Sequence, residues 1–327
     1  SSDVCSSDLK SESEREDKLI ALKDIHPVVG NGGKFTFEIG SEQYVPTDWA
    51  LSQFSGRLNL PSSTVIRELV NREDADWEDA DVAVRIAKNA IRRADGEKKF
   101  RLRTYKDGTL RAFVTDKYAP IDNRWYMETL NSILPGSVYS HWKGNDDTIY
   151  GNVLLPDSIM DYGQDDDSDY GGMLSIGNCE IGRRRVSQRP SVFRSICMNG
   201  CIRGQAKGVK FNRRHVAIEM SDNFAKLIHE HIVAQIPLID VVRDAFLQTR
   251  FDRIPAGVAP LPIIYTVAKD FGLSSAEADQ WVIEWHNREG KERTKFGLLN
   301  GLTRAGQSLN NERWVHMDTI AGQLVTE

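Results

Sequence analysis

Phe100-Arg101-Leu102-Arg103-Thr104-Tyr105-Lys106-Asp107-Gly108-Thr109-Leu110-Arg111-Ala112-Phe113-Val114 is the stretch that decides the fold. Phe100, Leu102 and Tyr105 follow the period of a strand, and the return runs from Leu110 to Val114. Between them Lys106-Asp107-Gly108 is a hairpin turn signal, because glycine closes the tight reversal. The same segment superficially resembles the nucleotidyl-transfer motif Lys-x-Asp-Gly, but it lacks the intervening residue, so the turn is the reading.

Upstream of the hairpin the signals are helical. Pro46-Thr47-Asp48 starts a helix, with Thr47 able to cap free N–H groups and Asp48 favoured at the positive end of the dipole. Leu51, Phe54 and Leu58 recur at helical spacing. Pro61-Ser62-Ser63 opens a second helix with the stripe Val65, Ile66, Leu69 and Val70. A third aligns Val82, Ile86 and Ala90 and ends in the basic run Lys88–Arg93.

Downstream, Tyr118-Ala119-Pro120-Ile121 breaks the strand, and Asn123 is expected to cap a short helix through Leu130. Strands are expected at Thr148–Leu155, Met173–Gly177 and Val192–Met198. From Ser221 the chain reads helical. Ser274-x-x-Glu277 is a capping box whose stripe is Ala278, Trp281, Val282 and Trp285. The next helix carries Gly297, Gly301 and Ala305 four apart, a small-residue face for close packing. The fold class is therefore α+β: an antiparallel or mixed sheet core, an N-terminal helical segment and a helical C-terminal part.

Three regions follow. Residues 1–39 are expected to be a disordered tail, since Ser11–Lys18 is almost wholly charged or Ser. Its start, Ser1-Ser2-Asp3-Val4-Cys5-Ser6-Ser7-Asp8-Leu9, resembles a translated sequencing-adapter remnant from a metagenomic reading frame. Residues 40–218 form the α+β core, and residues 219–327 the helical part. No apolar run nears the roughly 20 residues that cross a bilayer. The four cysteines make no disulfide framework, and a reducing cytoplasm is the expected setting.

Charge is segregated. The chain has a net charge of −5, yet residues 181–218 carry ten Lys/Arg and no Asp or Glu, so the remainder sums to −15. The ten are Arg183, Arg184, Arg185, Arg189, Arg194, Arg203, Lys207, Lys210, Arg213 and Arg214. Concentrated positive charge is the footprint of a polyanion partner. In Gly177-Asn178-Cys179-Glu180-Ile181-Gly182-Arg183-Arg184-Arg185, glycines let backbone amides approach an anion and the arginines add fork-like donors. Tyr105, Phe113, Tyr118, Tyr150, Tyr170, Phe193 and Phe211 lie in or beside the same sheet region. Bases could stack on one or two of them while phosphates are neutralised.

Other chemistry reads weakly. Cys197 could be a thiolate near positive charge, but a packed small hydrophobe is the better reading. Cys197 and Cys201 lack a second ligand pair for zinc. Asp161, Asp165, Asp166, Asp167 and Asp169 do not match a calcium loop, because Tyr170 and Ile176 stand where Gly and Glu are needed. They read as an acidic loop. His229 and His231 are two apart and face different sides of a helix. No hydrolase elbow, Walker loop or Rossmann fingerprint occurs, so neither a cofactor nor a metal is expected.

The chain also resembles the phage/plasmid-like family called domain of unknown function 932. Five segments across residues 40–325 carry the resemblance. They are Thr47–Gln53 with Leu58–Pro61, Asp116–Asn123, Gly177–Gly182, Arg194–Gly200 and Leu299–Thr303. The resemblance implies a mobile-element setting with a role in replication or recombination, and it supplies no catalytic residues. The resulting expectation is a nucleic-acid-binding protein, with single-stranded DNA favoured, in an annealing or recombination-accessory role that a homo-oligomer would suit. The alternatives are an enzyme on nucleotides or nucleic-acid ends, with Glu180 and another carboxylate beside the arginines, and an interaction protein that docks an acidic partner or its own Asp161–Asp169 loop.

Overall fold

The hairpin at Lys106–Gly108 forms as its residues dictate. Strand β5 (Lys99–Tyr105) pairs antiparallel with β6 (Thr109–Thr115), and Gly108 takes the left-handed φ of 85° that the reversal needs. The computed structural model describes residues 14–60, 63–71, 76–144, 147–155, 160–161, 169–194, 199–203, 211–215, 222–289 and 293–326. In it, α+β architecture is realised as two sheets with helices packed on them.

The first sheet has six strands. Its order is β1 (Arg15–Ala21), β5, β6, β4 (Glu42–Pro46), β3 (Phe35–Ile39) and β2 (His26–Val29). Only the β4–β6 pairing is parallel, with Val45 opposite Thr109 and Pro46 opposite Leu110. That parallel step requires a crossover, which α1 (Asp48–Arg57), α2 (Ser63–Asn71), α3 (Trp77–Arg93) and β5 provide. Thr47 caps α1 by accepting from Ala50 N, as its sequence position indicates. Phe35, Phe37, Phe54, Phe100 and Phe113 fill the space between sheet and helices, all fully buried. Each buried side chain of this kind contributes roughly 1.5–3 kcal/mol, and Leu22, Ile25, Leu51, Leu102 and Leu110 complete the same core. Leu51, Phe54, Ile66 and Ala90 take their expected inward places and Val65 stays exposed, as does Val82, because Ala80, Ala83, Val84, Ala87 and Ala90 form the buried stripe of α3.

The second sheet is antiparallel. The path runs β12 (Asn199–Arg203), β11 (Val186–Arg194), β10 (Asp169–Cys179), β8 (Thr148–Leu154) and β7 (Val138–Gly144). Strand β13 (Phe211–Arg213) adds to β11, and β9 (Met160–Asp161) to β10. Leu174, Ile176 and Val186 pack against α4 (Asn123–Ile133) and α5 (Asp222–Gln248). The C-terminal helices α6 (Pro260–Asp270), α7 (Ser275–Glu284), α8 (Lys295–Gln307) and α9 (Asn311–Thr326) form a further core around Trp281, Trp285, Phe296 and Leu299, joined by Val192 of β11. Ser274 and Glu277 make the full capping box. The small-residue face of α8 brings Gly301 against Trp285, where an added Cβ would lie 2.7 Å from the Trp285 Cβ.

Several expectations are corrected. Residues 15–39, expected to be disordered, form β1, β2 and β3, and the charge of β1 is there because Asp17 pairs with Arg103 of β5 and Arg15 with Glu180, beyond the sheet. Asn123 does not cap α4. It is the first helical residue, Asp122 occupies the cap position without a side-chain bond, and the Asn123 N–H donates to Glu180. Asn199-Gly200 begins β12, with Asn199 opposite Arg194. Of the acidic loop, Asp161 and Asp169 face each other in the β9–β10 ladder, while Asp165, Asp166 and Asp167 lie outside the described residues. Cys197 also lies outside them, and Cys179 is buried and free.

Candidate nucleic-acid interface and the ion network beneath it

The turn between β10 and β11 is where the two sheets meet. Glu180 sits at its start, fully buried. Its Oε1 accepts from Arg15 at 2.5 Å and from the Asn123 N–H at 2.8 Å, and its Oε2 accepts from Arg111 at 2.8 Å. Its backbone carbonyl accepts from Arg103 at 2.6 Å and from the Tyr118 hydroxyl at 2.7 Å. Arg103 also binds Asp17 and Asp122, and Arg111 binds Asp147. One residue of the second sheet therefore collects arginines from β1, β5 and β6 of the first, and its carboxylate satisfies a free N–H at the start of α4.

Local backbone geometry explains how an arginine reaches this position. Arg103 pairs with Ala112 and Thr104 with Leu110, so the ladder skips Arg111. The resulting bulge re-aims the Arg111 side chain, which is 0% exposed and lies over the Tyr105 ring at 4.4 Å. Burial by itself lowers the pKa of Arg103 and Arg111. The carboxylates around them outweigh it, so both guanidiniums are held above their usual range.

Past Glu180 the chain reverses at Ile181-Gly182. Gly182 has φ 72°, and a Cβ there would approach the Tyr118 ring to 3.1 Å, so both the backbone and the space favour glycine. Trp49 and Gln53, one turn apart on α1, both donate to the Ile181 carbonyl, at 3.0 and 2.8 Å. The arginines then emerge. Arg183 is half-exposed, with its guanidinium 5.4 Å from the Trp49 ring centroid, and Arg184 lies 5.5 Å from that of Tyr150. Both point to Glu312 of α9, at 3.1 and 3.5 Å. Arg185, Arg213 and Arg214 are exposed. Val186 pairs with Arg213, so positions 185 and 214 lie just past the end of that ladder. Five arginines share one end of the second sheet.

The rest of the island is elsewhere. Arg189 is half-buried mid-strand, its pKa pushed down by burial. Arg194 ends β11 eight residues from Val186, about 26 Å along the strand, and Arg203 pairs beside it with Ser191. The side chains of Arg194 and Arg203 and the whole of Lys207 and Lys210 lie outside the described residues. Among the described positions, five arginines thus sit at the turn, Arg189 lies mid-strand, and the backbone of Arg194 and Arg203 lies toward the other end of β11.

Five of the seven aromatics expected near the arginines are core residues. Tyr105, Phe113, Tyr118, Tyr150 and Phe211 are all buried. Tyr170 and Phe193 have side chains outside the described residues. Beside buried Tyr150, the basic turn has the partly exposed Trp49, which sequence reasoning passed over, although its place one turn before Gln53 on α1 was a usable signal. Glu180 is also not a cleft carboxylate beside Arg183–Arg185: it is saturated by Arg15, Arg111 and Asn123. Among the described residues no three His, Cys, Asp or Glu are arranged to hold a metal ion, and no helix is long and apolar enough to cross a membrane. Compared with protein-family models, curated proteins and solved structures, the chain gives no significant match in any of the three.

Proposed function

We propose that this protein binds nucleic acid, preferentially single-stranded DNA, through the arginine turn at Arg183, Arg184 and Arg185 with Arg213 and Arg214. The observation that carries the reading is five arginines at one end of a sheet, with Glu312 the one carboxylate paired to them among the described residues. The excess positive charge neutralises phosphates and makes affinity fall with salt. Arg183 and Arg184 rest on Trp49 and Tyr150, which leaves their outer faces to an unstacked base, a surface that a single strand offers and a duplex does not. The five segments similar to a phage/plasmid-like family favour a recombination or replication accessory role. Three of those segments, Thr47–Gln53, Asp116–Asn123 and Gly177–Gly182, meet at the Glu180 turn.

The test is fluorescence anisotropy with labelled single-stranded and duplex DNA at low and moderate salt. The reading expects salt-sensitive binding, tighter for the single strand. No binding of either DNA at low salt contradicts it. Binding of an acidic peptide in place of DNA supports the interaction-protein alternative, for which Glu312 already illustrates how a carboxylate seats on Arg183.

A further inference from the structure

At the other end of α1 a second cationic site stands apart from the turn. Residues 49 and 57 are eight positions apart, about 12 Å along the helix axis. There a cleft of about 520 Å³ opens between the C-terminal ends of α1 and α3 and the entry to β5. Arg57, Arg93 and Lys98 line it together with Asn59, Leu58 and Ile86.

Arg57 is the informative residue. Its Nε donates to the Phe113 carbonyl at 2.9 Å, which turns the guanidinium toward the sheet and away from the carbonyls of its own helix. It is half-buried, and burial pushes its pKa down with no carboxylate to offset the effect. No ion pair among the described residues engages Arg57, Arg93 or Lys98. The one acid in the lining, Asp95, already accepts from the Glu97 N–H. Two helix C-termini contribute roughly half a negative charge each. With Asp95 they bring about two negative charges against three cations, which leaves an excess of about one positive charge. Partial burial of a guanidinium that makes no ion pair among the described residues is unfavourable, and an incoming anion offsets it.

We infer that this cleft binds a small phosphomonoester, with the phosphate held by Arg57, Arg93 and Lys98 and the organic part against Leu58 and Ile86. The volume falls within the range of small-molecule sites. An Arg fork with two further cations suits a phosphate dianion better than a singly charged carboxylate. Asn59 is the one non-glycine residue with positive φ among the described residues, at 51°. It closes α1 in a left-handed cap, with Leu60 N bonded to Ser55 O, and as an exposed polar residue of the lining it offers a partner to a polar edge of the ligand. The inference goes beyond the DNA-binding reading and does not depend on it.

Isothermal titration with uridine 5′-monophosphate, inorganic phosphate and uridine tests the site, and a variant with Arg183, Arg184 and Arg185 all replaced by Ala separates it from the turn. The expected result is binding of the monophosphate, weaker binding of inorganic phosphate and none of uridine. It should be unchanged in the triple variant and stronger at about pH 7 than at about pH 5, because the second phosphate proton leaves near pH 6. Arg93→Ala and Lys98→Ala alter exposed side chains and leave the fold intact by thermal melting, and together they should weaken binding by roughly tenfold or more. Arg57→Ala should abolish binding, and Arg57→Lys should keep part of it if the variant folds. The inference is overturned by no heat with the monophosphate at millimolar concentration, by equal affinity for uridine, by an Arg93→Ala/Lys98→Ala variant that binds as the parent does, or by loss of binding in the triple variant.

Discussion

Arg111 Nη2 and Glu180 Oε2 lie 2.8 Å apart, and neither side chain has any exposure to solvent. The pair ties β6 of the first sheet to the turn that carries the arginines of the second. Removing one member leaves the other charged and buried. Glu180→Ala is therefore expected to cost about 3–5 kcal/mol in urea unfolding. Replacing Arg111 by Met and Glu180 by Leu together should cost less than the sum of the two single changes. A loss below about 1 kcal/mol for Glu180→Ala would mean that the network is an exposed, weak one.

His215 gives the protein a pH dependence. Its ring stacks on Tyr118 at 5.2 Å, its Nδ1 lies 3.2 Å from the Tyr118 hydroxyl, and burial lowers its pKa to about 4. The unfolded chain takes up this proton below about pH 6.5, the folded one only near pH 4. Between those limits the unfolded state binds more protons, so stability falls as the pH is lowered, by about 3 kcal/mol over the window. His215→Phe keeps a stacked ring and should remove that slope. An identical pH profile in the variant would assign the effect to other groups.

Close helix packing is tested at Gly301. An added Cβ would meet the Cβ and Cα of Trp285 at 2.7 and 2.9 Å, and the backbone of a helix cannot yield as a side-chain tip does. Gly301→Ala is expected to lose about 1–3 kcal/mol by overpacking, despite the better helix propensity of alanine. A raised melting temperature would contradict the packing.

These predictions also mark what was legible in the sequence. Thr47, Gly108 and the Ser274–Glu277 box act on backbone groups within a few residues, so the turns and caps they make were readable. The network at Glu180 was not. Arg15, Arg103 and Arg111 come from three strands, and each reads alone as a solvated charge. Alternation in β6 would also have sent Arg111 outward, because a bulge leaves no mark in the spacing of one strand. The β1 strand was missed for the same reason: its charged residues have partners that only the folded sheet supplies. The basic island was readable as charge, but its division between two ends of β11 depended on strand length and pairing.

Glu312 should act as an internal competitor at the arginine turn. It holds Arg183 and Arg184 in half-exposed pairs, which are worth at most about 1 kcal/mol. Glu312→Gln is expected to leave the melting temperature nearly unchanged and to tighten DNA binding by up to about fivefold. Weaker binding in this variant would mean that Glu312 organises the arginines rather than opposing the ligand.

The most direct test of the central claim is the salt dependence of single-stranded DNA binding, measured for the parent and for the variant with Arg183, Arg184 and Arg185 replaced by Ala. Each lost phosphate contact removes about 0.7 from the slope of log K against log salt. The account predicts a slope shallower by about 2, with weaker binding that does not depend on base sequence. An unchanged slope and affinity in the triple variant would contradict it.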